Sequence, residues 1–316
     1  MHGPVWLLTD PVMDGHRTSA HPERPERRDA VAAGVRDAAG DALAEAAFEP
    51  ATEDQILAVH DRAYLDLLDD ADRRGGGWLD PDTYIAPGSM RAARLAAGAT
   101  LQAAVGVATG EAEVAFAAVR PPGHHARAER GSGFCLLNNV AIAVTGLRGL
   151  GHARRTAIID WDVHHGDGTQ DLFDVDADLC YVSTHQFPFY PGTGRAEDRG
   201  AGAALGTKHN HPLSADDGDE AFVAAWRDEL LPAVEAFAPQ AILVSAGYDA
   251  HRADPLAELR VTEDGFAEVS RLVGDLSRRL GLPGVALTLE GGYDLDALRA
   301  SAAATVNGIL EGRKRA

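Results

Sequence analysis

The sequence is poor in cysteine. Cys135 and Cys180 are the only two among 316 residues, which excludes a disulfide framework and any zinc module built from several thiolates. A metal in this chain must therefore rest on imidazole and carboxylate ligands. Positive charge is scarce as well: 29 Lys and Arg stand against 48 Asp and Glu, a formal net charge of −19. A broad nucleic-acid footprint needs a basic face, so that class of partner is excluded. A negative field attracts cationic substrates, and it also keeps a protein soluble. No stretch reaches the roughly 18 apolar residues of a membrane span. The first residues, Met1 to Trp6, lack a basic run ahead of an apolar one, so no secretory signal is read. The expected compartment is the cytoplasm. No internal repeat or low-complexity linker is found.

What remains is ordinary globular material, 45% hydrophobic and 24% charged, enough for a large core. Short apolar runs recur at Val5–Thr9, Val114–Val119, Thr156–Ile159, Leu179–Val182, Ala241–Ser245 and Val285–Leu289. Their lengths predict buried strands. Ala-rich amphipathic stretches lie between them, at Ser89–Thr109, Asn139–Leu147, Asp219–Phe237 and Thr262–Leu280, the third interrupted or restarted by Pro232. Strands alternating with helices predict a mainly parallel sheet covered on both faces, hence one three-layer αβα domain over residues 1–316. Residues 74–77 read as a short loop and Gly192–Pro212 as a long one. Residues 312–316 read as a frayed basic tail.

The polar residues of interest follow the strands: His124 and His125, then Asp160, Asp162 and His164, Ser183 and His185, Asp249 and Tyr293. Ligand sites of open α/β sheets form at the carboxyl ends of strands. In extended chain, residues two apart face one side, so Asp160, Asp162 and His164 can converge. One carboxylate and one imidazole give two legs of a metal site, and Asp249 can give a third. Three N/O ligands plus water is a catalytic zinc arrangement, which Fe(II) or Mn(II) would also accept. A lone Asp at a strand end is more often a turn or helix-cap acid. Five acids and imidazoles within Asp160–Asp167 are much harder to explain that way. Pro and Gly before His124-His125 force an irregular loop, which puts a proton acceptor and its neighbour beside such a metal. Each ring needs a carboxylate partner, and Asp160 and Asp167 remain to serve. Tyr293, after two glycines, can donate a hydrogen bond to an oxyanion. Taken alone, a His-His pair or a tyrosine is as readily structural.

Together these residues resemble the zinc-dependent histone deacetylase family of the arginase–deacetylase superfamily. The resemblance runs through His21–Arg27, Arg120–Ala126, Gly131–Asn139, Asp160–Gln170, Phe189–Gly194, Asp249, Asp254-Pro255-Leu256 and Glu290–Tyr293, in order. Its wording looks like the class II branch and bacterial relatives. By resemblance, Asp162, His164 and Asp249 match the zinc ligands and His124 and His125 the histidine dyad. Asp160 matches the carboxylate behind His124, and Asp167 the one behind His125. Tyr293 matches the tyrosine that binds the substrate carbonyl. Phe134 and Tyr190 match the aromatic channel walls, where Tyr190 stands in place of the commoner Phe. Gly133 would offer its carbonyl to the substrate amide, Asp82 would bind substrate backbone at the rim, and Arg27 would line a product exit. A K⁺ or Na⁺ site is implied near Asp160, Asp162, His164 and Ser183.

The resemblance implies metal-assisted amide hydrolysis, with His125 as general base and then acid. The expected substrate is an acyl-lysine peptide or protein. The rival is an acetylated polyamine, where the polyamine-specific eukaryotic relative has Glu at the position of Leu256. A dinuclear manganese ureohydrolase is disfavoured because Ala250-His251 follows Asp249 where a second Asp is needed. A non-enzymatic acyl-lysine binder would lack a ligand, a dyad member or the tyrosine, and none is lacking. Bacterial relatives form dimers or tetramers, so an oligomer is compatible with the sequence.

Overall fold

The computed structural model describes residues 4–17 and 20–314. Residues 1–3, part of the stretch read for a signal, and residues 315–316 of the expected tail lie outside it.

The apolar runs form strands because they are too short for helices and bounded by turns. The strands are β1 (Val5–Leu8), β2 (Leu43–Glu45), β3 (Gly77–Trp78), β4 (Tyr84–Ile85), β5 (Val114–Ala117), β6 (Thr156–Asp160), β7 (Leu179–Gln186), β8 (Lys208–Leu213), β9 (Ala241–Ala246) and β10 (Val285–Leu289). Eight of them make one sheet in the order β2-β1-β5-β10-β9-β6-β7-β8, and its pairings are parallel. Strands β3 and β4 make a small antiparallel hairpin apart from it.

The helices are α1 (Glu26–Ala39), α2 (Glu53–Leu57), α3 (Arg62–Arg73), α4 (Ser89–Ala108), α5 (Asn139–Gly149), α6 (Asp167–Leu172), α7 (Asp219–Ala225), α8 (Leu231–Phe237), α9 (Glu263–Arg279) and α10 (Leu295–Arg313). Successive strand residues point to opposite faces. Leu7, Phe116, Ile159, Val182, Val244 and Leu287 join one core with α1 and α7 to α10. Their neighbours Leu8, Ala115, Ile158, Tyr181, Leu243 and Ala286 join a second core with α4 and α5. Two cores on one sheet are the expected three layers, in a single α/β domain. The inner strands β1, β5, β10, β9, β6 and β7 are buried on both sides because a covered parallel sheet has no wet face there.

Four details differ from expectation. The segment expected as a loop to Pro212 contains β8. Its sequence, Lys208-His209-Asn210-His211-Pro212-Leu213, has no apolar run because it is an edge strand bonded to β7 alone. Strand β7 runs on to Gln186, so Ser183 and His185 lie within it. The helix expected over 219–237 is α7 and α8 joined by a π turn at Trp226–Leu230, with Pro232 in the first turn of α8, where its missing N–H costs nothing. Helix α10 continues to Arg313, so the tail starts later than residue 312. Its Arg313 guanidinium reaches Glu113, Ser277 Oγ and the carbonyls of Leu282 and Pro283, which hold the helix end down.

A parallel sheet puts all carboxyl ends on one edge. The order β5-β10-β9-β6 then sets four loops side by side there: Arg120–Ala126 after β5, Glu290–Tyr293 after β10, Asp249 after β9, and Asp160–His164 at the end of β6. Helix α5 braces the first of these. Its N-cap Asn138 accepts from Ala141 N at 3.0 Å and donates to Ala126 O at 3.0 Å.

Candidate active site

Asp162, His164 and Asp249 meet at the centre of this edge, each offering a ligand atom within 4.8 Å of the others. Nδ1 of His164 stands 3.1 Å from Asp162 Oδ1 and 3.2 Å from Asp249 Oδ2. The remaining oxygens are fixed by backbone: Asp249 Oδ1 accepts from Val163 N at 2.8 Å, and Asp162 Oδ2 from Gly291 N at 2.7 Å. Gly291 must be glycine, because a Cβ would collide with both carboxylates.

Two buried carboxylates and one imidazole fit a divalent cation. Asp249 Oδ2 is buried and accepts no hydrogen bond, a lone pair left for something else. Burial opposes a charge on His164, but the two carboxylates outweigh it and lift its pKa to about 10. Burial also works against Asp162, yet His124 and His164 hold its carboxyl well below the usual range. Asp249 moves the other way, raised by burial and by Asp162. Such opposed shifts mark functional carboxylates more often than structural ones.

The two histidines are shifted in opposite directions. His124 Nδ1 faces Asp160 Oδ2 at 3.1 Å. Burial lowers its pKa, but Asp162 and Asp160 raise it well above 6.5. His125 Nδ1 faces Asp167 Oδ1 at 2.7 Å. Burial and the adjacent His124 push its pKa down to about 4 despite that carboxylate. The ring centroids are 4.1 Å apart. Of the two rings, His125 is the one favoured in the neutral form, which can take a proton. The other oxygen of Asp167 accepts from Arg127 at 2.9 Å. Two bonds fix that carboxylate and hence the His125 tautomer.

Tyr293 is buried, with its N–H on Asp254 Oδ2 at 2.7 Å and the Arg27 guanidinium 4.8 Å from its ring centroid. Burial raises its phenol well above 10, so it stays a donor. A cavity of about 280 Å³ leads to these groups. Asp82, Gly133, Phe134, Phe189, Tyr190 and Leu256 line it toward His124, His125, Asp162, His164 and Tyr293. Phe134 stands perpendicular to Tyr293 at 5.8 Å, and Tyr190 perpendicular to His125 at 5.2 Å. Phe134 holds φ +69°, beside Gly133 at φ +54°, where a Cβ would press into the His125 ring. A non-glycine residue in that region is costly and is found where function holds it.

Of the residues singled out for chemistry, Asp82, His124, His125, Gly133, Phe134, Asp162, His164, Tyr190, Leu256 and Tyr293 line the cavity, while Asp160, Asp167, Asp249 and Arg27 do not line it but lie against His124, His125, His164 and Tyr293. Ser183 does not line it. It is the register partner of Asp160, and its Oγ pairs with His185 Nδ1 at 2.9 Å. Sequence reasoning missed Arg127, Phe189 and the anchoring role of Asp254. Phe189 stacks on His164 at 5.5 Å with an 18° interplanar angle. Its position next to Tyr190 was a signal; Arg127 and Asp254 needed the tertiary contact. Among the described residues, no helix is long and apolar enough to cross a membrane.

A family model described as histone deacetylase domain matches residues 21–309. Histone deacetylase 15 of Arabidopsis thaliana is 38% identical over 301 residues, 93% of this chain and 53% of its own length. The chain thus spans about half of that plant protein. A probable deacetylase of Archaeoglobus fulgidus is 40% identical over 281 residues, covering 87% of this chain and 78% of its own. The histone deacetylase-like amidohydrolase of Pseudomonas aeruginosa is 38% identical over 247 residues, 77% of this chain and 64% of its own. The solved HDA15 HD domain superposes with a TM-score of 0.91 at 36% identity, covering 98% of this chain and 88% of that one.

Proposed function

The chain belongs to the histone deacetylase family, and from that premise we propose that it is a zinc-dependent hydrolase removing acetyl or other acyl groups from lysine side chains of peptides or proteins. The observation that carries the reading is the shape and chemistry of one cavity. An apolar, aromatic-walled passage ends on a neutral imidazole, a phenol and a cation-ready triad. A tetramethylene chain fits such walls, and its amide carbonyl would then lie among the polar groups.

Asp162, His164 and Asp249 would hold the ion, Zn²⁺ by preference, with Fe²⁺ or Mn²⁺ as alternatives. When bound, a divalent ion supplies Lewis acidity to a carbonyl and a water. The chain's own groups do the rest. His125 takes a proton from the attacking water and later gives it to the leaving nitrogen as the C–N bond breaks, releasing carboxylate and amine. His124, cationic, favours negative charge on the reacting carbon's oxygen. Tyr293 donates its hydrogen bond to that oxygen as charge develops. Asp160 and Asp167 orient the two rings. Phe134 and Tyr190 flank the acyl-lysine stem, the carbonyl of Gly133 meets its amide, and Asp82 and Leu256 contact what lies outside. A K⁺ or Na⁺ ion beside Asp160, Asp162, His164 and Ser183, and a cytoplasmic location, belong to the same reading.

A small acetylated amine is the competing substrate, favoured by the net charge of −19. Leu256 at the rim favours the peptide. The test is hydrolysis of acetyl-lysine peptides, longer acyl-lysine peptides and N-acetylated putrescine or spermidine, side by side, with Asp249→Ala as control. Higher kcat/KM on the peptides is expected. Higher kcat/KM on the amines would assign the protein to polyamine deacetylation, and no hydrolysis of either would overturn the reading.

A further inference from the structure

Glu290 has no part in the chemistry described above, yet it is completely buried at the heart of the site. Its Oε2 accepts from Gly123 N at 2.7 Å and from His124 N at 3.1 Å. Its Oε1 accepts from Ser245 Oγ at 3.1 Å. A buried carboxylate with three donors has both oxygens satisfied, and all three donors come from strands or loops other than its own. Gly123 and His124 belong to the loop after β5, Ser245 to β9, and Glu290 itself follows β10.

The segment that carries Glu290 is fixed in turn. Glu290 N donates to Ala246 O, Arg27 donates to the carbonyls of Glu290 and Gly292, and Gly291 N donates to Asp162. Three residues later stands Tyr293, itself tied to Asp254. The loop bearing the two histidines is held elsewhere through its carbonyls, with Thr169 N on His124 O, Asn138 Nδ2 on Ala126 O and Asn139 Nδ2 on Pro121 O, while its Gly123 and His124 N–H groups go to Glu290. We propose that Glu290 is a positioning residue: its Oε2 clamps the backbone of the dyad loop to the turn bearing Tyr293, and so sets the distance between the base and the oxyanion donor. The proposal rests on the reading of His125 and Tyr293 given above. A misplacement of about 1 Å between such groups costs about 10²-fold in rate.

What matters on this account is an acceptor atom at the right reach, not a negative charge. Burial pushes the Glu290 carboxyl up to about 7, so a neutral amide is a fair replacement near neutrality. Glu290→Gln keeps an oxygen before Gly123 and His124, and its NH₂ can donate to Ser245, whose hydroxyl can turn to accept. Glu290→Asp keeps the charge and withdraws the acceptor by one methylene.

Both variants of the full chain would be measured with zinc loaded, on an acetyl-lysine peptide. Glu290→Gln is expected within about threefold of the parent kcat. Glu290→Asp is expected to lose about 10- to 100-fold in kcat with KM within about twofold. The ring N–H resonances of His124 and His125 would shift in the Asp variant and hold in the Gln variant. That readout needs no turnover, so it tests the clamp even if the parent hydrolyses no acyl-lysine. The proposal is overturned if Asp behaves as the parent, if Gln falls with Asp, or if kcat is lost in Asp with both resonances unmoved. Unfolding of the Asp variant alone would make Glu290 a stability anchor and would also overturn it.

Discussion

Arg27 lies across the ring of Tyr293, its guanidinium carbon 4.8 Å from the ring centroid. The contact joins the first helix to the turn after β10, 266 positions apart in sequence. Arg27 is also bonded to Gly292 O, Glu290 O and Glu23, so the ring packs on a cation that cannot move away. A cation held over a buried aromatic face stabilises its position. It leaves the phenol tip free to point into the cavity, which Tyr293 lines.

Tyr293→Phe keeps that packing and removes only the hydroxyl. Turnover is expected to fall about 10²- to 10³-fold, the usual cost of one oxyanion donor. KM and bound metal should stay near parent values. Steady-state kinetics with parallel metal analysis checks this, and near-parent turnover would remove Tyr293 from the mechanism.

Asp167 is shared between His125 and Arg127, at 2.7 and 2.9 Å. Arg127 therefore takes up part of the negative charge that would otherwise make His125 more basic. On the proposed mechanism His125 acts as a base only when neutral, so activity should be lost as pH falls through its pKa, pushed down to about 4 by burial and His124. In Arg127→Met the carboxylate acts on His125 alone and the pKa rises. The acid limb of kcat/KM should move to higher pH, while the plateau changes by less than about tenfold. An unmoved limb would mean that Arg127 is only a structural partner.

Glu23 is buried between Arg120, Arg27 and His16. Burial disfavours its charge, but Arg120, with His16 and Arg27 behind it, wins and brings the pKa from 4.5 down to about 2. A depressed folded-state pKa stabilises above the unfolded value and loses that contribution as pH falls through the folded one. The shift corresponds to about 3 kcal/mol. Glu23→Gln should be less stable by about that amount at pH 7. The gap should narrow as pH falls from about 4.5 toward 2. Urea unfolding from pH 7 down to 3 measures it, and a gap independent of pH would contradict the assignment.

The orphaned oxygen of Asp249 predicts that metal is also a structural ligand. An ion that binds only the folded chain adds about 4 kcal/mol at a concentration 1,000 times its Kd. Chelation should abolish hydrolysis and lower Tm, and Zn²⁺, Fe²⁺ or Mn²⁺ should restore both. Asp249→Ala should show no rise in Tm with any of the three. A Tm that ignores metal in the parent chain would count against the triad.

Much of this site was legible in sequence because parallel strands deliver residues to one edge. Asp160, Asp162 and His164 follow one another at the end of β6, so spacing alone brought them together. The same logic placed His124, Asp249 and Tyr293 beyond β5, β9 and β10. Edge strand β8 was not legible, since its His, Asn and Lys residues carry no apolar period. Strand β2 was missed for its length of three residues. Helices α1 and α10 escaped because their buried faces include polar residues, Arg27 and Arg28 in one and Ser301 and Thr305 in the other, which interrupt the apolar period. Arg127 on Asp167, and Glu290 on Gly123 and His124, are contacts across 40 and more residues. Neither periodicity nor spacing encodes such contacts; only the strand order does.

Leu256 lines the mouth of the cavity, its N–H on Asp254 Oδ1 at 2.9 Å. That bond fixes the backbone, so a new side chain here starts from the same place. Leu256→Glu would set a carboxylate at the entrance, near the distal ammonium of an acetylated polyamine and beside the backbone of a peptide. The first contact is attractive and the second gains nothing. The ratio of kcat/KM for N-acetylspermidine over acetyl-lysine peptide should rise about tenfold, equivalent to about 1.4 kcal/mol. The gain should shrink with added salt, since the charges meet near solvent. A ratio that stays fixed would place the discrimination elsewhere on the rim, with Asp82 on the opposite strand hairpin the next residue to change. A gain that resists salt would mean that the ammonium is drawn inside the channel, past Tyr190, and that the aromatic walls rather than the rim select the substrate.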